Sequence, residues 1–441
     1  MAHAPEASGQ DRWRRFHLPS THLPHGLVTF PSRLRPWIES WFLVYAVLGV
    51  VQGGMLPLLL PLSAGGSTHA GVIVGVMNLA GVTAPFWGHL ADRRRLHRQV
   101  LLAGMLAALV ALLFMPMQLA LPLKTVFAAI LGIGFAASNT VANMFIVEVR
   151  PPDEWNARIG ALQALSGLGQ VLGLLLAGLI GGRYALAFAV AAALVAASVP
   201  MAWLTLSGVQ VPVRRDMATA HPPIGAEGWS GSPQRMFHIP TLHGLRTLWL
   251  ELEMPFARLV IVWFVAFVAI SAVLTMLPLA LIRAFGVAPG LPATTYAFAA
   301  AGSLLMYPLV TGISKQHGAW PVLRAGFAAR TIAMAVLAVA FLSEVGGVPL
   351  ALVGFVVLVM AWPLLGVSGT ALAAQLAPGE KGEALGLFNA GSSLAGAVGA
   401  FIGGWAMDMV GYGVVCAVAA GVVGLAALCS GDARRLPTSN G

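Results

Sequence analysis

Twelve stretches of this chain are each long and apolar enough to span a bilayer, at roughly 38–62, 69–90, 99–119, 124–147, 158–181, 184–207, 257–282, 290–313, 321–342, 349–374, 383–407 and 412–430. A helix needs roughly 20 apolar residues to cross the hydrocarbon core. In that solvent every backbone N–H and C=O must be satisfied within the protein, which a helix does by itself. Over the whole chain only 9% of residues are charged, against 58% hydrophobic. Soluble domains carry about 25% charged residues, so this chain cannot cover a water-facing surface. The sequence predicts an all-α, multi-pass protein of the cell (cytoplasmic or inner) membrane, with the lipid bilayer as its solvent.

A second constraint is internal duplication. Trp41-Phe42 leads through an apolar run to Met55-Leu56-Pro57-Leu58, and about 220 residues later Trp263-Phe264 leads to Met276-Leu277-Pro278-Leu279. Pro152, Glu154, Gly160, Gly173 and Gly178 are answered at one constant offset by Pro378, Glu380, Gly386, Gly399 and Gly404. The expected organisation is an N-terminal tail 1–37, a six-helix half 38–207, a linker 208–256, a second parallel six-helix half 257–430 and a tail 431–441. The linker is rich in Pro, Gly, Ser, His and Arg, and its end, Leu242–Leu252, has the periodicity of an amphipathic helix at a membrane surface. Two parallel halves in a bilayer are the architecture of secondary transporters, with the site between them.

Charge fixes the expected orientation. With the N-terminus inside, twenty-one of the 25 Lys and Arg fall in inner connectors and tails, and Lys124, Arg183 and Arg283 fall outside. Arg330 lies within a span. Both termini are therefore expected in the cytoplasm. The net charge of +9 follows this pattern rather than a basic groove, so nucleic acid is not expected as a partner. The first 36 residues contain no apolar h-region and do not read as a signal peptide. The two cysteines, Cys416 and Cys429, read as packing residues, with no metal site and no cofactor implied.

The connector after the second span reads Gly88-His89-Leu90-Ala91-Asp92-Arg93-Arg94-Arg95-Leu96-His97-Arg98. It resembles the signature loop of the major facilitator superfamily, G-x-L-A-D-R-x-G-R-[KR], with Arg95 in place of the Gly and Leu96 in place of the Arg. The second-half loop, Gly312 to Gly318, keeps its glycines but has Gln316 near the Asp position. In the fifth span Gly160, Gly169, Gly173 and Gly178 resemble the antiporter motif of that superfamily, with Leu174 where its Pro would stand. In the fourth span Ile130 to Gly134 resembles the end of the motif of proton-coupled members, but Ala128 and Ala129 stand where an Arg is expected. No Asp or Glu lies in the middle of any span, so proton coupling is not supported. The resemblance covers essentially the whole chain.

The resemblance implies that the first, fourth, seventh and tenth spans line a central cavity and that Gly88, Leu90, Asp92, Arg93 and Arg98 form a conformational latch. Polar side chains within those spans are costly in lipid and are expected to face the cavity or a partner helix. They are Gln52, Ser138, Asn139, Asn143, Ser271, Thr275, Trp362 and Ser368. Gln163 and Asn389 occupy equivalent repeat positions and are expected, with Gly169 and Gly173, at the interface between halves. Arg330, about nine residues from the inner end of its span, is expected to snorkel to the interface. The expected function is alternating-access transport of a small, neutral or amphipathic solute by a monomer, with export slightly preferred over uptake. A non-transport role as an assembly factor or a pigment or lipid carrier is the other class. There is no P-loop, metal-ligand spacing or nucleophile–base set, so an enzyme is not expected.

Overall fold

The computed structural model describes residues 40–94, 96–149, 152–206, 255–343, 347–377 and 381–430. The tails, most of the linker and its expected amphipathic segment lie outside them. The described residues form twelve membrane-length helices. The first, α1, is a composite of an α-segment Ser40–Leu48, a π-helical stretch Gly49–Met55 and a further α-segment Leu56–Ser63. In α2, Ser67–Leu79 and Ala84–Arg94 are joined by a 3-10 turn, Ala80–Thr83. Next come α3 (His97–Phe114), α4 (Leu121–Val149), α5 (Pro152–Ile180) and α6 (Tyr184–Leu206). The second half is α7 (Pro255–Phe285), α8 (Gly290–His317), α9 (Ala319–Leu342), α10 (Gly347–Met360 and Trp362–Gln375), α11 (Lys381–Val410) and α12 (Tyr412–Cys429).

Hydrophobicity cannot discriminate one apolar helix face from another in lipid, so close packing at small residues does the sorting. The duplicated glycines show how. Within the first half α5 lies directly on α1, where a Cβ on Gly169 would sit 2.3 Å from the Ala46 carbonyl oxygen and one on Gly173 2.0 Å from that of Val50. The repeat does the same in the second half, where a Cβ on Gly399 would sit 2.3 Å from the Val268 oxygen of α7. The next repeated pair turns to the opposite half. Gly178 of α5 faces Ala293 and Gly290 of α8, and Gly404 of α11 faces Ser67 and Gly71 of α2. One ancestral spacing therefore encodes two contacts, one within a half and one between halves. The halves meet through α2 with α11 and α5 with α8.

Leucines and phenylalanines such as Leu179, Phe298, Leu305 and Leu428 stand exposed around the outside, where lipid rather than water is their solvent. Toward the end that carries the α2–α3 connector, Arg98 binds within its own half. Its guanidinium lies 3.8 Å over the Trp203 ring of α6 and donates to the Trp203 carbonyl at 3.2 Å. That contact ties the start of α3 to the end of α6. The side chains of Asp92 and Arg93 lie outside the described residues.

Candidate functional site

A cavity of about 1610 Å³ lies between the halves, lined from both. It is larger than most small-molecule pockets, which run about 300–1,000 Å³. On the first-half side α1 reaches it through a π-helical stretch, whose composition (Gly-Val-Val-Gln-Gly-Gly-Met) disfavours a regular α-helix. Such bulges recur at functional sites because they re-aim a side chain. Here the bulge presents Gln52, whose Oε1 accepts from Asn139 Nδ2 of α4 at 2.7 Å. The pair joins two helices at the cavity wall, and both residues line the cavity.

On the second-half side, Ser271 and Thr275 of α7 both line the cavity. Ser271 also donates to the Gly396 carbonyl of α11 at 2.9 Å, so it serves packing and lining together. The break in α10 has a plain cause. Pro363 follows Trp362, and a proline has no N–H to give the preceding turn. The break carries Trp362 into the cavity lining. From Trp362 an aromatic series runs back through Phe267, at 5.8 Å between centroids, to Trp263 at 5.7 Å. Trp263 is anchored in turn by its indole N–H donating to Ser392 Oγ at 2.8 Å.

The site holds one residue that sequence reasoning misplaced. Arg330 of α9 does not snorkel: it is 1% exposed and lines the cavity, with its guanidinium 5.5 Å from the Trp362 ring centroid. Its Nε and Nη1 are buried without a hydrogen-bond partner. Counting residues to the nearest helix end put the interface within reach, but the helix face, not the depth, decides where a side chain goes. The signal available was a second arginine, six residues deeper into an apolar span than Arg324.

Of the other expected residues, Gln163 and Asn389 line the cavity, and so does Gly88. Ser368 is a correction. It is fully buried in α10 and donates to the Leu364 carbonyl one turn back, away from the lining. Ser138 is likewise buried and donates to Gly134 at 2.9 Å. Gly169 and Gly173 are corrected from the interface between halves to the α1–α5 contact described above. The side chain of Asn143 lies outside the described residues.

Among the described residues, the cavity lining extends toward one end of the helices, and a clasp joins the halves at the other. The lining reaches Phe86 and His89 of α2, Tyr307 and Pro308 of α8, and Gly386 and Leu387 of α11, all toward the end that carries the α2–α3 connector. At the other end a polar clasp joins the halves. Asp408 of α11 accepts from the Thr68 backbone N–H at 2.8 Å and from Thr68 Oγ1 at 2.7 Å. Thr68 lies in the first turn of α2, whose positive dipole end favours a carboxylate. Arg283 of α7 donates to Ser67 Oγ at 2.7 Å and to the Gly65 carbonyl at 3.2 Å, with Asp408 Oδ1 3.8 Å away.

The sequence matches the Major Facilitator Superfamily over residues 41–369. No curated protein matches it in sequence. Among solved structures, the nucleoside transporter NupG superposes with a TM-score of 0.70 at 15% identity, over 89% of this chain and 97% of that one. An auto-inhibited POT family peptide transporter gives 0.69 at 13% identity, covering 92% and 97%. A D-xylose–proton symporter gives 0.68 at 17% identity, covering 89% and 97%. At these identities the likeness is one of fold.

Proposed function

This chain belongs to the Major Facilitator Superfamily, and from that premise we propose that it moves a small amphipathic solute through the cavity between its halves by alternating access. The observation that carries this reading is the asymmetry of the cavity among the described residues, its lining running toward one end and the halves clasped by Asp408, Thr68, Ser67 and Arg283 at the other. Both ends join the same two rigid halves, so opening the clasp while closing the far end would pass a solute without a continuous pore. The distribution of Lys and Arg favours the cytoplasm for the end that carries the α2–α3 connector. Both termini then lie on that side. The spacing of Gly169 and Gly173 is accounted for by α1–α5 packing and gives no support to export over uptake.

Within the cavity, Gln52 and Asn139 are the amide contacts for the polar part of a solute, and the Trp362–Phe267 wall takes its apolar part. The test is a thermal-shift screen of the purified protein against small solutes, lipids and drug-like compounds. A ligand at 100 times its Kd adds about 2.7 kcal/mol of stability. A hit should lose about tenfold in affinity in Asn139→Ala, which removes one amide contact and strands Gln52. Hits that keep full affinity in both Asn139→Ala and Gln52→Ala would place binding elsewhere and end this assignment.

A further inference from the structure

Transport of a neutral solute leaves the buried Arg330 of the cavity without a task. We propose that Arg330 is an anion-binding subsite, and that the solute is a monocarboxylate carried on an aromatic or apolar body. The proposal rests on the reading of the cavity as the transport path.

Four observations converge. Arg330 is 1% exposed, yet it borders an open cavity. Its Nε and Nη1 donors are buried with no partner. Among the described residues lining the cavity there is no Asp or Glu to neutralise the guanidinium. A buried charge with neither counter-ion nor complete hydrogen bonding is strongly unfavourable, and proteins that keep one generally present it to a ligand. Finally, the Trp362 ring lies 5.5 Å from the guanidinium carbon. A cation this close to an indole ring is held by the ring's quadrupole while its N–H donors remain for an oxyanion.

The class of anion follows from charge balance and surroundings. One arginine matches one negative charge. A phosphate dianion would call for a second cation, and the described residues of the lining include no other Lys or Arg. Beside Arg330 the wall is aromatic, with Trp362, Phe267, Tyr296 and Tyr307 all lining the cavity. The carboxylate takes the guanidinium edge while the body lies against these rings. The amide pair Gln52–Asn139 then meets whatever polar group the body carries at its other end. Of the neutral or amphipathic solute expected from the sequence, this keeps the amphipathic character and adds a negative charge.

The experiment compares acids with their uncharged analogues on the purified full-length protein. Benzoate, phenylacetate and octanoate are each titrated against the matching amide, with inorganic phosphate as a separate arm, and both Tm and tryptophan fluorescence are read. At least one acid should raise Tm and change the fluorescence saturably while its amide does neither. Arg330→Gln should weaken that response at least tenfold. Arg330→Met adds a readout independent of any ligand. Because it replaces an unpaired buried charge by an apolar chain of similar length, it should raise the Tm of the ligand-free protein, whereas loss of a structural arginine would lower it. Acid and amide indistinguishable in all three pairs, or an acid response retained in Arg330→Met, overturns the proposal. An Arg330-dependent response to phosphate alone overturns the carboxylate assignment. Neutral compounds that bind through Gln52 and Asn139 independently of Arg330 would sink the anion subsite and leave the transport reading standing.

Discussion

Gly173→Leu is expected to leave no folded protein in the membrane. A Cβ at this position would lie 2.0 Å from the Val50 carbonyl oxygen, 2.8 Å from the Val50 carbonyl carbon and 3.0 Å from Gly54 Cα. All three are backbone atoms, so no rotamer change relieves the clash. Overpacking a well-packed core by a methylene or two costs typically 1–3 kcal/mol because side chains can shift. Here α1 and α5 must separate along their length, which undoes their contact and the placement of Gln52. Even Gly173→Ala should cost about 3 kcal/mol or more. The duplicate position, Gly399, should behave alike, since its Cβ would meet the Val268 oxygen at 2.3 Å. Gly391→Ala is the control, for its Cβ would meet nothing within 4 Å. Size-exclusion profiles and melting curves of detergent extracts read this directly. A Gly173→Leu protein that elutes and melts like the wild type would contradict the close α1–α5 packing.

Asp408→Ala is expected to shift the protein toward the state in which the clasped end is open. The carboxylate takes both Thr68 donors and faces Arg283, so its loss removes the acceptor at the centre of the clasp. Hydrogen bonds to charged groups are worth about 1.5–3 kcal/mol each when buried. The Asp408 and Arg283 side chains are each 40% exposed, which lowers that contribution. A combined loss of about 2 kcal/mol, or about 30-fold in the conformational equilibrium, is a fair expectation. Asp408→Asn keeps an acceptor for Thr68 but no charge for Arg283, and should fall between. With Cys416 and Cys429 replaced by Ala, a Thr275→Cys side chain in the cavity reports the change. A membrane-impermeant maleimide added at the clasped end should label it at least tenfold faster in Asp408→Ala. An unchanged rate would show that the clasp does not hold that end shut.

Much of the fold was legible because lipid makes simple demands. Span length and charge poverty fix the helices, and all twelve expected segments correspond to helices of the structure. The repeat was equally legible, since Gly173 and Gly178 return at Gly399 and Gly404 in equivalent contacts. The site was legible in part. Gln52, Asn139, Ser271, Thr275 and Trp362 line the cavity because an amide, hydroxyl or indole in mid-span must face something polar. Ser368 misled for the same reason run in reverse: a serine can satisfy itself on its own helix carbonyl and need not face anything. Arg330 was missed because depth along a helix is visible in a sequence and azimuth is not. The clasp was missed because Asp408, Thr68 and Arg283 come from three helix ends far apart in the chain, and each reads alone as an ordinary terminal residue.

Alternating access itself is tested by asking whether the cavity can be reached from both faces, one at a time. Thr275→Cys, again without Cys416 and Cys429, is placed in sealed vesicles of either orientation and exposed to the impermeant maleimide. The same measurement is repeated with Thr68→Cys and Asp408→Cys oxidised to a disulfide across the clasp, after the cavity cysteine has been reversibly blocked and released. Transport by rocking halves predicts labelling from both faces in the unlocked protein, and labelling only from the face opposite the clasp once the disulfide has formed. Labelling confined to that same face whether or not the clasp is locked would mean that the cavity never opens to the other side, and would contradict a transport cycle.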